Sequence, residues 1–222
     1  MEMKIIAKVE SDFPTKFGIP RQSGIAEKLT AKIIFEPEYS DPQAVRGLEG
    51  FSHIWILWQF SGNLRDSWSP TVRPPRLGGN KRIGVFATRS PFRPNEIGLS
   101  SVKLNKIEQV DGRTVLHISG ADLMDGTPIF DIKPYLPFTD SHPGAKAGFA
   151  ENTAEYSLDV FFDCDFPAGF PDNKKEALKT VLENDPRPSY IEDGSRVYGF
   201  PFAGFEVKFK VENGILYVKE IM

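Results

Sequence analysis

The sequence has one cysteine, Cys164, among 222 residues, and its three histidines, His53, His117 and His142, are far apart. A single thiol excludes an internal disulfide framework and any zinc site built from paired thiolates. The histidine spacing matches no metal-ligand pattern, so no metal is expected. Long apolar runs are missing too. The most apolar stretch, Phe51 to Phe60, is interrupted by Ser52, His53 and Gln59 and falls well short of the roughly 20 residues of a membrane helix. The opening residues MEMKIIAKVE lack the apolar stretch of a signal peptide. No G-x-G-x-x-G follows a strand and no G-x-x-x-x-G-K occurs, which argues against a dinucleotide fold or a P-loop. Nothing supports a serine or cysteine nucleophile. These absences together point to a cytoplasmic chain without a membrane partner.

What is present is a globular composition, 40% hydrophobic and 26% charged with 18 Phe, too apolar for a disordered tail. The length suits one large β domain, or one domain and a small second one. The net charge of −3 hides a split. From Arg65 to Lys106 nine basic residues stand against two acidic ones, Asp66 and Glu96, a local +7 that leaves −10 on the rest. A basic block in an acidic chain is a candidate anion site; a solvated surface is the plainer alternative.

Short apolar, β-branched runs recur at Met3 to Val9, Ala31 to Phe35, His53 to Phe60, Arg82 to Ala87, Ile97 to Leu104, Thr114 to Ser119 and Ile129 to Leu136. Turn signals separate them at Gly78-Gly79, Asp111-Gly112 and Asp125-Gly126. His53 to Phe60, apolar at nearly every position, predicts a strand buried on both faces. Many short strands without helical periods between them predict a mainly β protein with a closed or nearly closed barrel. After about Gly148 the pattern changes. A strand is expected over Tyr156 to Phe162 and a helix over Asn173 to Asn184, capped by Asp172 or Asn173 and stopped by Asp185-Pro186. A hairpin follows from Phe205 to Ile221, turning at Asn213-Gly214. The expected division is a β-barrel domain over 1–150 and a small α+β domain over 151–222.

Two segments carry chemistry. Thr71 to Gly98 spreads five arginines (Arg73, Arg76, Arg82, Arg89 and Arg93) through loops stiffened by Pro74, Pro75, Pro91 and Pro94. Stiff loops lose little entropy on binding, and guanidinium groups pair bidentately with carboxylate or phosphate; capping of nearby carbonyls is the alternative. Asp122 to Tyr135 sets Asp122, Asp125 and Asp131 around a turn where Gly126 permits close backbone approach, a pattern that plain turn chemistry also explains. His53, Trp55 and Trp58 read most simply as core or rim, Trp68 is ambiguous, and Arg21-Gln22 form a polar loop of unclear role.

With Gly18-Ile19-Pro20-Arg21-Gln22, the run Ala44 to Trp55 and Asp185-Pro186-Arg187-Pro188-Ser189-Tyr190, these segments resemble the TsaA-like, or TrmO, family of tRNA methyltransferases. The resemblance implies a β-barrel methyltransferase acting as a homodimer, with S-adenosylmethionine as methyl donor. Its substrate would be threonylcarbamoyladenosine beside the anticodon of certain threonine tRNAs, with the C-terminal domain helping to hold the tRNA. In that frame Arg89 and Arg93 are candidates to clamp a carboxylate of cofactor or substrate. Leu123, Gly126, Thr127, Pro128 and Ile129 resemble the cofactor-binding turn, with His53 at its border. Asp125 and Asp131 are candidate proton acceptors. Arg73, Arg76, Lys81, Arg82, Arg187 and Tyr190 are candidates for tRNA contact. Two readings stand beside it: an RNA-binding module without catalysis, and a methyltransferase of the same fold acting on a small molecule.

Overall fold

Alternation of apolar and polar side chains organises the first half of the chain. The computed structural model describes residues 2–63, 67–74, 81–153, 156–187 and 193–222. Its strands begin with β1 (Ala7–Glu10), β2 (Thr30–Phe35) and β3 (His53–Gln59), followed by a two-stranded hairpin of β4 (Thr71–Val72) and β5 (Ile83–Gly84). Next come β6 (Ile97–Val110), β7 (Arg113–Ser119) and β8 (Pro128–Pro134). Six of these pair in the order β1-β2-β7-β6-β3-β8, and β8 returns to β1 with Ile129 opposite Ala7. The sheet thus closes on itself, which removes the free edges that invite misassembly. Ile33, Ile54, Ile56, Leu116, Ile118 and Ile129 are fully buried inside it.

β3 differs from the expectation of burial on both faces. Ile54, Ile56 and Trp58 point inward while Trp55, Leu57 and Gln59 are half-buried outside. The outer Trp55 is held by the short helix α1 (Pro137–Asp140), whose Asp140 Oδ2 accepts from Trp55 Nε1 at 2.8 Å. β6 runs on to Val110, six residues beyond the apolar pattern. Past a register shift between Leu104 and Lys106 it pairs with β7 alone, as a ribbon whose polar side chains carry no core signal. The expected strand over Arg82 to Ala87 is mostly a 3-10 turn, Val85–Ala87, after two residues of β5.

The second half forms a four-stranded sheet in the order β10-β11-β12-β9, made of β9 (Asp159–Phe162), β10 (Tyr198–Phe202), β11 (Phe205–Glu212) and β12 (Ile215–Ile221). Helix α2 (Asp172–Glu183) buries Ala177, Leu178, Val181 and Leu182 in the same core as this sheet. Pro171, with no side-chain bond, stands at the cap position in place of Asp172 or Asn173. This second core is completed by the loop between β1 and β2, which inserts Phe13, Ala26 and Leu29, all buried, with Phe17 and Ile19 packed alongside. A Cβ at Gly18 would lie 2.4 Å from the Phe200 ring, and its φ of +96° is one that glycine alone adopts readily. The two halves are therefore joined through one loop, and Lys174 fastens it again by pairing with Asp12 (2.5 Å) and Thr30 (3.0 Å).

Candidate functional site

Three loops converge over the start of β6, around Gly98 and Ser100. The β1–β2 loop brings Gln22 and Ser23, the loop after β5 brings Arg89, and the β7–β8 loop brings Asp122. Two glycines let the first and third touch at the backbone. Gly24 N donates to Gly120 O at 2.8 Å, and a Cβ at Gly120 would lie 3.3 Å from Gly24. The Arg89 guanidinium donates to Gln22 Oε1. Below it, Trp58 Nε1 donates to Ser100 Oγ (3.0 Å) and Ser100 Oγ donates to Asp122 Oδ1 (2.6 Å). The indole fits because Gly98 leaves it room: a Cβ there would lie 2.2 Å from the Trp58 ring. Burial pushes the Asp122 carboxyl above its ordinary value. Hydrogen bonds from Ser100 and from the Asp122 and Ser23 amides, and the Arg89 charge, oppose this without cancelling it. The cluster thus pairs an exposed guanidinium, suited to a carboxylate or phosphate, with a recessed carboxyl of raised proton affinity.

The turn from Leu123 to Ile129 follows directly. It is docked on β1: Ser11 N donates to Asp125 Oδ1 (3.0 Å), Ser11 Oγ to Leu123 O (3.0 Å) and Gly126 N to Val9 O (2.8 Å). Leu123, Thr127 and Ile129 are buried, and Thr127 Oγ1 closes the turn onto Met124 O (2.7 Å). Pro128 opens β8 opposite Lys8. At Gly126, with φ +73°, an added Cβ would meet nothing within 4 Å, so the backbone there faces open space. Asp131 lies elsewhere. It stands opposite Leu57 on the outer face, pairs with Lys133 (2.8 Å) and borders a separate cleft of about 650 Å3 shared with Tyr39, Arg46, Leu48 and Phe51. His53 begins β3, five residues before Trp58, so it sits roughly 17 Å along the strand from the Asp122 cluster. Its Nδ1 is 2.9 Å from Ser52 Oγ and its ring is near Tyr135.

The other arginines divide. Arg93 is turned inward on its own loop, donating to Val85 O (3.2 Å) and Thr88 O (2.8 Å). Arg73, Lys81 and Arg82 are exposed on the β4–β5 hairpin, Arg82 bonding Thr71 Oγ1 at 2.9 Å. Arg187 is mostly buried and grips both oxygens of Asp185 at 2.8 Å. Arg76 and Tyr190 lie outside the described residues. Among the described residues no three His, Cys, Asp or Glu side chains form a metal cluster, and no helix is long and apolar enough to cross a membrane. Gln22 and Asp122 stand in the sequence as part of a polar loop and of a carboxylate-bearing turn, but without an assigned role in the site. The available signal was Ser100, a hydroxyl at an inward position of β6 between Gly98 and Val102, which needs a buried partner.

The fold is a closed six-stranded β sheet with an appended α+β unit, and the site sets an exposed guanidinium beside a recessed carboxyl. Residues 8–141 match the tRNA-methyltransferase O N-terminal domain and residues 167–222 the TrmO C-terminal domain. The chain belongs to the tRNA-methyltransferase O family. It is 40% identical over 214 residues to a tRNA (adenine(37)-N6)-methyltransferase of Escherichia coli (strain K12), covering 93% of this chain and 91% of that protein. It is 39% identical to the putative S-adenosylmethionine-dependent methyltransferase RcsF of Pseudomonas aeruginosa, over 87% and 85% of the two chains. The crystal structure of TrmO from the same species superposes with a TM-score of 0.81 at 29% identity, covering 100% of this chain and 96% of that one.

Proposed function

We propose that this protein is an S-adenosylmethionine-dependent tRNA methyltransferase that methylates N6 of threonylcarbamoyladenosine beside the anticodon of threonine tRNA. On this reading residues 1–150 form a barrel-type catalytic domain and 151–222 a small tRNA-contacting domain, in a cytoplasmic enzyme. The observation that carries the reading is the convergence of Gln22, Arg89 and Asp122 inside the segments that match the family.

The residues fit the methyl donor. Arg89 offers a guanidinium for its carboxylate, and the open side of Gly126 leaves space beside the backbone of the Leu123–Ile129 turn. His53, at the far end of β3 beside Ser52 and Tyr135, lies too far from the Asp122 cluster to border it. When bound, the donor supplies an electrophilic methyl group on a sulfonium. The protein's part is alignment and proton transfer. The N6 nitrogen belongs to a urea and still carries a proton, which a carboxylate or water must accept as the new bond forms. Asp122 is the best supported acceptor, because burial raises its basicity and the Ser100 hydroxyl fixes its orientation. Asp125 has one oxygen taken by Ser11 N, and Asp131 pairs with Lys133. Arg93 keeps the Arg89 loop in shape by holding Val85 and Thr88. A homodimer is supported by the outer face of β3 and β6, where Leu99, paired with Leu57, is 56% exposed.

The test is incubation with labelled S-adenosylmethionine and total tRNA, followed by nucleoside mass spectrometry. Methylated threonylcarbamoyladenosine is the expected product. Its absence while another nucleoside or a small molecule takes the label overturns the substrate assignment.

A further inference from the structure

Trp68 and Phe86 are large rings that the fold leaves in water, 51% and 71% exposed, and they stack on each other with centroids 6.2 Å apart and planes 28° apart. Their placement is built rather than incidental. The 3-10 turn Val85–Ala87 buries Val85 and turns the next side chain, Phe86, outward. Val85 N donates to Pro70 O (2.9 Å), which ties this turn to the segment that carries Trp68. The Arg93 guanidinium lies 5.6 Å from the Phe86 ring centroid while it grips the carbonyls of Val85 and Thr88. The pair is therefore held from both sides before anything binds, and binding it would order little further.

The surroundings indicate what it binds. No Asp or Glu occurs from Ser67 to Asn95, while six Lys and Arg do, and Arg73, Lys81, Arg82 and Arg89 of that set are exposed. A second stacked pair, exposed Phe161 on half-buried Tyr217 (6.0 Å), gives the contrast. Its segment carries Asp159, Asp163 and Asp165, and Lys219 beside Tyr217 is paired with Asp163. Exposed rings in a stretch of sequence that holds several exposed Lys and Arg and no Asp or Glu suit a partner that offers flat π faces on a polyanionic backbone. A duplex conceals its base faces, so the partner is an unpaired stretch of RNA.

We infer that Trp68 and Phe86 form a stacking platform for an unpaired base of an RNA loop, with Arg73, Lys81 and Arg82 meeting the adjoining phosphates. This rests on the tRNA reading above and adds the group that grips the loop.

The experiment is fluorescence anisotropy of the full-length protein with a labelled anticodon stem–loop RNA. Trp68→Ala and Phe86→Ala are each expected to weaken binding by about 5- to 100-fold, the range of one lost base–aromatic stack. Phe161→Ala leaves binding unchanged. Trp68→Phe keeps a ring and binds within about twofold of wild type, but loses the RNA-induced quenching of tryptophan emission. Calorimetric binding of S-adenosylmethionine, unchanged in all four variants, shows that they are folded. Wild-type affinity in both alanine variants overturns the platform. So does sedimentation showing that either variant dissociates a dimer, since the rings then face a second copy. If the wild-type protein binds neither stem–loop nor intact tRNA, the tRNA reading itself fails, a result distinct from failure of the variants alone.

Discussion

Burial raises the proton affinity of Asp122, and the three loops around it determine what that costs. A carboxyl with a folded value above its unfolded value binds more protons in the native state between the two. Stability therefore falls as pH rises through that window, and the cost persists at neutral pH. Asp122→Asn removes the ionisable group and keeps an oxygen that accepts from Ser100 Oγ. The variant should unfold at a higher temperature than wild type at pH 7, and the advantage should vanish below about pH 4, near the unfolded carboxylate value. Turnover should fall by about 10²- to 10⁴-fold while affinity for S-adenosylmethionine changes little. The wild-type rate should fall at acid pH as Asp122 takes up its proton, a limb that the variant lacks. Equal thermal stability at both pH values with wild-type turnover would remove Asp122 from the reaction. In the sequence Asp122 is one of three carboxylates around a turn. Only folding reveals that it is the recessed one, because its partners Ser100 and Trp58 lie 22 and 64 residues away.

At the scale of elements, strands were legible wherever one face met the core and the other met water. The hairpin of β11 and β12 alternates cleanly, and Asn213-Gly214 supplies the two positive φ values its turn needs, +51° and +79°. The β1–β2 loop was not legible in this way. Phe13, Phe17 and Ile19 are apolar without a period, since they do not lie on a strand or helix but plug a core formed some 150 residues later. Gly18 is where that plug is tightest. Gly18→Ala places a methyl group 2.4 Å from the Phe200 ring at a φ of +96°, which combines overpacking with backbone strain. Denaturant unfolding should show a loss of about 2–4 kcal/mol. Because Gln22 rides on the same loop, affinity for S-adenosylmethionine should weaken at temperatures where the variant remains folded. An unchanged midpoint would mean that Phe200 has room to move and that the loop is not fixed by this contact.

Across the whole molecule, one network joins the candidate site to the C-terminal unit. Arg21, beside Gln22, donates to the backbone carbonyls of Asp185 (3.3 Å) and Arg187 (2.7 Å) just past α2. Those carbonyls are positioned by Asp185, whose carboxylate accepts from Arg187 through both oxygens and from Tyr156 Oη at 2.9 Å. In sequence, Asp185-Pro186-Arg187 suggests a helix stop and a cation available to tRNA; a pairing across two residues with side chains only 11% and 15% exposed is a product of packing. Burial alone would push the Asp185 carboxyl up, but the Arg187 hydrogen bonds and charge, with Tyr156, outweigh it and hold it below the usual value. The sign is then opposite to that of Asp122. A depressed carboxyl contributes stability above its unfolded value of about 3.9, and this is lost as pH falls through the folded value. Asp185→Asn leaves the Arg187 guanidinium buried without a counter-charge, a loss of about 3 kcal/mol at pH 7. Its unfolding free energy should therefore approach that of wild type as pH drops below about 4, where wild type loses the same ion pair. Loosening Arg21 should also lower S-adenosylmethionine affinity at neutral pH, because Arg21 adjoins Gln22 on the same loop. If calorimetry finds that affinity intact while stability falls, the C-terminal unit supports the fold alone and has no hold on the site.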